Sequence, residues 1–297
     1  MPITGALAGT PAARLSGGSW LTRALALWNA ACLDAPCVVV LWSAALARGF
    51  GFQPGPLALA LLFSGVWMGY CVDRLVDGIR LGPELALTHR HRFAVRHRKR
   101  LVTLLVLALP ATLAAGVRWL PTDRLVLGSG IAALAVLHTV LAHRYPTTGR
   151  ALLPRELVVG GLLALAAFVF GLENLESARP ALLGLAVLFA VDCWLVASFE
   201  VELDQKRGEA SLAQRAVFSR QALVSTSWVL AVCAAAVWVW GGLPGGAIWC
   251  GIGLGAAGLA VLARVRGESE LLPALADLSL CAGAFTALLL PSGVTPN

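Results

Sequence analysis

Residues 57–77 read LALALLFSGVWMGYCVDRLVD, an apolar run that closes on two carboxylates, Asp73 and Asp77, four residues apart. A hydrocarbon core about 30 Å thick takes roughly 17–25 apolar residues in helical form to cross, and this run is long enough. Eight further runs of the kind lie at 24–47, 101–117, 124–142, 156–172, 180–201, 221–241, 245–263 and 271–290. Over all 297 residues 58% are hydrophobic and 13% charged. A soluble domain carries roughly 25% charged residues, so the polar side chains here are too few to coat a globule. The expected fold is all-α: a polytopic membrane bundle of nine transmembrane helices, forming a single domain over 21–292. The first 20 residues, rich in Gly, Ala, Pro and Ser, read as a disordered tail without the basic start and short apolar core of a signal peptide. Pro110, inside the third run, is tolerated where neighbours satisfy the carbonyl it frees.

Basic residues set the expected orientation, because Lys and Arg collect in loops that stay in the cytoplasm. With the N-terminus inside, the inner segments hold 19 of the 23 Lys and Arg residues, and the outer ones only Arg48, Arg118, Arg124 and Arg179. The C-terminus then falls on the opposite side, and a cell inner membrane is the expected location. Inward-facing basic loops also account for the net charge of +7 and attract anionic membrane lipids. No nucleic-acid partner is expected, since no basic domain with interleaved aromatics stands outside the runs. The seven cysteines show no C-x-x-C spacing, which points to small apolar fillers and not to zinc or a disulfide framework.

Asp73 and Asp77, at i and i+4, stack on one helix face. The sixth run ends in SFEVELDQKR, where Glu200 and Asp204 repeat the spacing, and the topology brings both pairs to the inner surface. Like charges one turn apart repel, and a carboxylate at the bilayer centre costs roughly 2.5 kcal/mol or more. Something must compensate. Mg²⁺ suits an all-oxygen donor set and shares its shell with water and substrate phosphate. Arg74, Arg80, Arg90 and Arg92 after the first pair, and Lys206 and Arg207 after the second, are placed to clamp a diphosphate bridged by the metal. The competing reading is an ordinary membrane edge with Asp73 paired to a nearby arginine. His89, His91 and His97, interspersed with arginines and Lys99, are expected on a solvated or lipid-facing helix and not as metal ligands.

Helix count, motif positions and polarity resemble the UbiA superfamily of intramembrane prenyltransferases, nine-helix bundles with aspartate-rich motifs on helices two and six. Asp73 and Asp77 occupy the last two acidic places of its first motif, Asn-Asp-x-x-Asp-x-x-x-Asp, with Gly69-Tyr70 in place of the opening Asn-Asp. Glu200 and Asp204 match the second motif, Asp-x-x-x-Asp, with one conservative change. RYPTTGRALLPRELVVGG at 144–161 is similar to the family's basic, Tyr- and Pro-containing stretch, which carries over Tyr145, Arg150 and Arg155. The resemblance implies Mg²⁺-dependent ionisation of a prenyl diphosphate. The cation is then captured by a lipophilic acceptor, aromatic or quinone-type, in a cavity between helices. A terpene cyclase using the same ionisation, and a non-catalytic lipid-binding or transport protein, are the alternatives. The missing Asn-Asp leaves open altered metal demand, a divergent branch, or lost catalysis.

Polar residues deeper in the runs are candidates to line that cavity: Asn29 and Asp34 in the first, Tyr70 in the second, and Asp192 in the sixth. Asp192 shares an i, i+4 stripe with Glu200 and Asp204. Intramembrane carboxylates are functional candidates by default, and a neutral, hydrogen-bonded packing role is the alternative. GLGAAG at 253–258 fits a dinucleotide fingerprint, but no strand precedes it. Gly251 and Gly255 read instead as a site of close helix approach.

Overall fold

The computed structural model describes residues 19–85, 88–144, 154–201, 213, 219–240, 244–265 and 271–291, with backbone alone at 80–85 and 142–144. Every regular element among them is helical. In chain order these are α1 Trp20–Ala30, α2 Asp34–Phe50, α3 Pro56–Leu85, α4 His89–Arg96, α5 Arg98–Trp119, α6 Thr122–Arg144 and α7 Arg155–Ala167. A 3₁₀ turn, Leu172–Asn174, leads into α8 Leu175–Phe199, followed by α9 Arg220–Trp240, α10 Gly246–Leu262 and α11 Leu272–Leu289.

This is an integral membrane protein with six or seven candidate spans among the described residues. Pro56–Ile79, Arg98–Trp119, Thr122–Leu141, Leu172–Phe199, Arg220–Trp240 and Leu272–Leu289 are each long and apolar enough to cross, and α1 with α2 makes a seventh if the bent pair crosses once. Two of the nine expected runs fall short as helices. The run at 245–263 yields 17 residues in α10, and that at 156–172 only 13 in α7. Helix α7 stops because the chain turns at Phe168 to seat its ring edge-on against Phe52, 5.4 Å between centroids, and against Phe50. Aromatic edge-to-face contacts of this kind add to simple burial.

The first run, expected as one helix, is broken by an 85° bend. Cys32 takes a left-handed φ of 58°, a conformation that favours glycine. The Cys32 N–H donates to the Asn29 carbonyl and the Leu33 N–H to that of Trp28, the paired bonds of a Schellman helix end. Pro36 sits in the first turn of α2, where its missing N–H has no helical partner to lose. Trp67 of α3 fixes the bend by donating its indole N–H to the Ala31 carbonyl at 3.1 Å.

Neighbours in sequence are neighbours in space. From α2 through α3, α5, α6, α7, α8, α9, α10 and α11 each helix packs on the next, and α11 returns to α2, closing a ring. Contacts of α8 with α10 and α11, and of α2 with α7 and α10, fill its middle. Short α4 lies outside the ring sequence, against α1 and α3. Trp42, Leu46, Leu185, Leu188, Ile252, Leu259 and Leu280 are fully buried among many alanines. Lipid is as apolar as leucine, so helix packing relies on close van der Waals fit at small residues. The expected approach at Gly251 is met by Gly283 of α11: a Cβ at either would fall 2.5 or 2.4 Å from the other's carbonyl oxygen. Gly255 faces Leu188 and Leu280 more loosely. Gly251→Ala therefore lowers the thermal midpoint of the protein in nanodiscs, by an overpacking cost of about 1–3 kcal/mol. Gly65→Ala, where nothing lies within 4 Å of the added carbon, leaves it unchanged.

Candidate functional site

Helix α3 runs unbroken from Pro56 to Leu85, so Asp73 and Asp77 do stand one turn apart. Their surroundings differ. Asp73 is 23% exposed and lies 3.6 Å from the Arg155 guanidinium at the start of α7. Asp77 is 2% exposed and faces the Nε2 of His91 at 3.9 Å. Gly78 lets α4 come this close, since a Cβ there would meet Val95 at 2.9 Å.

Helix α4 corrects the expectation of a solvated or lipid-facing segment. Arg90, His91 and Ala94 are buried, His91 completely. The His91 Nδ1 shares a hydrogen bond with the Thr88 hydroxyl at the helix start. Arg90 donates through Nη2 to Glu200 Oε2, an ion pair with both partners nearly buried. His89 and His97 are half-buried.

Glu200 does not extend a helical stripe. Helix α8 ends at Phe199, and Glu200 is its C-cap residue, so its carboxylate leaves from the turn beyond the helix. The second half of α3 thus meets the start of α7 through Asp73 and Arg155, and meets α4 through Asp77 and His91, while Arg90 ties α4 to Glu200 beyond the end of α8. Arg74 stands in the field of Glu200, Asp73 and Asp77. Burial and then the Arg74 guanidinium push Arg90 below its ordinary basicity, and Glu200 opposes them. Arg92 is half-buried. The side chain of Arg80, and all of Tyr145, Arg150, Asp204, Lys206 and Arg207, lie outside the described residues.

Deeper in the bundle Asp34 and Asn29 are both buried, and the Asn29 amide donates to Asp34 Oδ2 across the bend. The Ala35 N–H donates to Oδ1 at 3.0 Å. Asp192 of α8 is buried, and Tyr70 of α3 is half-buried. Sequence reasoning passed over Glu156, which is 3% exposed in the first turn of α7. A carboxylate just inside an apolar run was the available signal. For His91 there was none, because only the folding of α4 onto α3 brings it to Asp77.

Among the described residues no group of three or more His, Cys, Asp or Glu is close enough to hold a metal ion by itself. The donors present, Asp73, Asp77 and Glu200, are hard oxygens. Hard oxygens are the donor type that Mg²⁺ takes, commonly one or two carboxylates with phosphate and water completing the shell. No family model, curated protein or solved structure matches the chain.

The Arg90–Glu200 pair yields a stability test. Removing one partner leaves a nearly buried charge unmatched, at about 3–5 kcal/mol. Arg90→Ala and Glu200→Gln each lower the unfolding midpoint in nanodiscs, and the double variant is destabilised by less than the two losses together. Additive losses would show that the two side chains do not interact.

Proposed function

We propose that the chain is a Mg²⁺-dependent intramembrane prenyltransferase of the UbiA type, with nine helical passes. It transfers a prenyl group from a polyprenyl diphosphate to a lipophilic acceptor. The reading places its N-terminus on the cytoplasmic side of the cell inner membrane and its C-terminus opposite. The observation that carries it is the Arg90–Glu200 ion pair, formed across 110 positions of sequence. It ties the end of α8 to the helix that covers Asp77. The ring of helices closing in chain order supports the same reading.

In this scheme Asp73, Asp77, Glu200 and Asp204 would hold Mg²⁺, and the ion would supply charge neutralisation for a diphosphate leaving group. Arg90 and Arg155 are already ion-paired, so they orient carboxylates as well as phosphate. Arg74 faces three carboxylates but, among the described residues, has no ion pair within bonding distance. In this scheme it binds a phosphate oxygen. Arg80, Arg92, Arg150, Lys206 and Arg207 complete the diphosphate shell. The isoprenoid tail partitions into the apolar bundle, whose dry interior keeps water from the cation. Tyr70, Tyr145, Asn29, Asp34 and Asp192 line the acceptor cavity.

Purified protein with Mg²⁺ is expected to release pyrophosphate from farnesyl or geranylgeranyl diphosphate. Asp73→Asn and Asp204→Asn should each slow that release by about 10²–10³-fold, the scale for losing one preorganised electrostatic partner. Full turnover in both variants rejects the assignment.

A second reading, a solute carrier, is favoured by one observation: the 85° break in the first span sets Asp34 in the first turn of the half-helix beyond it. Carriers build midplane sites from such broken helices. Counterflow of labelled solute in proteoliposomes, with no diphosphate consumed, would establish it.

A further inference from the structure

We infer that the acceptor taken at this site is uncharged and bears a hydroxyl, and that aromatic carboxylates are excluded by three carboxyl side chains in the bundle interior, Asp34, Asp192 and Asp277. The inference rests on the transferase reading for what the interior binds, and on the geometry below for the selectivity.

The three carboxyls come from different helices that meet. Helix α11, carrying Asp277, packs on both α2 and α8. Asp192 lies within electrostatic reach of Asp34, and Asp277 within reach of both. The Tyr70 hydroxyl of α3 is in reach of Asp34 and Asp277. Asp34 is spoken for, each of its oxygens accepting one hydrogen bond, from Ala35 and from Asn29. Asp192 is not. It is 8% exposed, and its Oδ1 is buried without a hydrogen-bond partner among the described residues. A buried oxygen in that state calls for a donor.

The charges around this seam decide which donor. Arg74 and Arg90 are the cations that reach Asp277, and both face the acidic residues of the diphosphate site. With Arg90 paired to Glu200 and Arg74 given to the diphosphate in the transferase reading, neither of the two is left for an anionic head. If the interior carboxyls are ionised they repel a bound carboxylate. If they are neutral they supply no countercharge to offset its desolvation. A hydroxyl satisfies Asp192 Oδ1 in either state, and a site built to bond a hydroxyl rejects ligands that leave its polar atom unpaired.

The test uses the full chain in nanodiscs of neutral lipid at pH 7, with 6-hydroxy-2-naphthoate and its methyl ester as probes. They share ring and hydroxyl and differ in charge. Binding is read from naphthalene fluorescence, with empty nanodiscs subtracted. The ester is expected to bind tighter by roughly tenfold or more, the scale of like-charge discrimination. In Asp192→Asn or Asp277→Asn, each isosteric and each sufficient alone, the ratio is expected to fall to about threefold or less, since one interior carboxyl is gone. Equal binding of acid and ester overturns the inference. So does a preference that survives either substitution, because the interior carboxyls would then not be its source. Loss of pyrophosphate release with this binding pattern intact sinks the transferase reading and leaves the charge selectivity standing.

Discussion

Charge at a low-dielectric boundary has to be matched, and the Arg90–Glu200 pair is where this protein matches it across the greatest span of sequence. A carboxylate leaving the end of α8 and a guanidinium on α4 are both nearly buried, so neither is stable in place without the other. Their pairing fixes α4 over the end of α3. That in turn encloses Asp77 with His91 and leaves Asp73 to Arg155. The three carboxylates are thus matched by three basic partners from two helices, Arg90 and His91 from α4 and Arg155 from α7.

Packing beneath the cluster obeys a different rule. In lipid no hydrophobic gain separates a helix neighbour from an acyl chain, so the bundle is held by backbones brought close at Gly251 and Gly283 and by alanines elsewhere in the core. The bent first span belongs to the same economy. Its Schellman end at Cys32 gives the Trp28 and Asn29 carbonyls donors as the chain turns, and Trp67 supplies one to Ala31. This carries Asp34 and Asn29 into the interior, on helices that pack against α11.

The two polar regions are consequently unlike in chemistry. The cluster at the ends of α3, α7 and α8 mixes carboxylates with guanidiniums, which suits an anion bridged by a cation. The seam around Asp34, Asp192 and Asp277 is acidic and phenolic, which suits a neutral hydrogen-bonding head. A substrate with an anionic leaving group and an acceptor with a hydroxyl would each find the complementary surface.

The sequence by itself determined the membrane class, the helical content and the candidate residues Asp73, Asp77, Glu200 and Arg90, because run length and charge placement act locally against a slab about 30 Å thick; Arg155 entered only through the family resemblance. It did not determine the break at Cys32, since a left-handed residue other than glycine has no compositional signature. Nor did it determine the short extent of α7, where the rings of Phe50 and Phe52, over a hundred positions upstream, stop the helix at Phe168. His91 shows the divide most plainly. Among neighbouring arginines it reads as solvated, yet it is fully buried, because the absence of a Cβ at Gly78 and the pull of Glu200 on Arg90 fold α4 inward. Those are contacts between distant segments, and only the tertiary structure decides them.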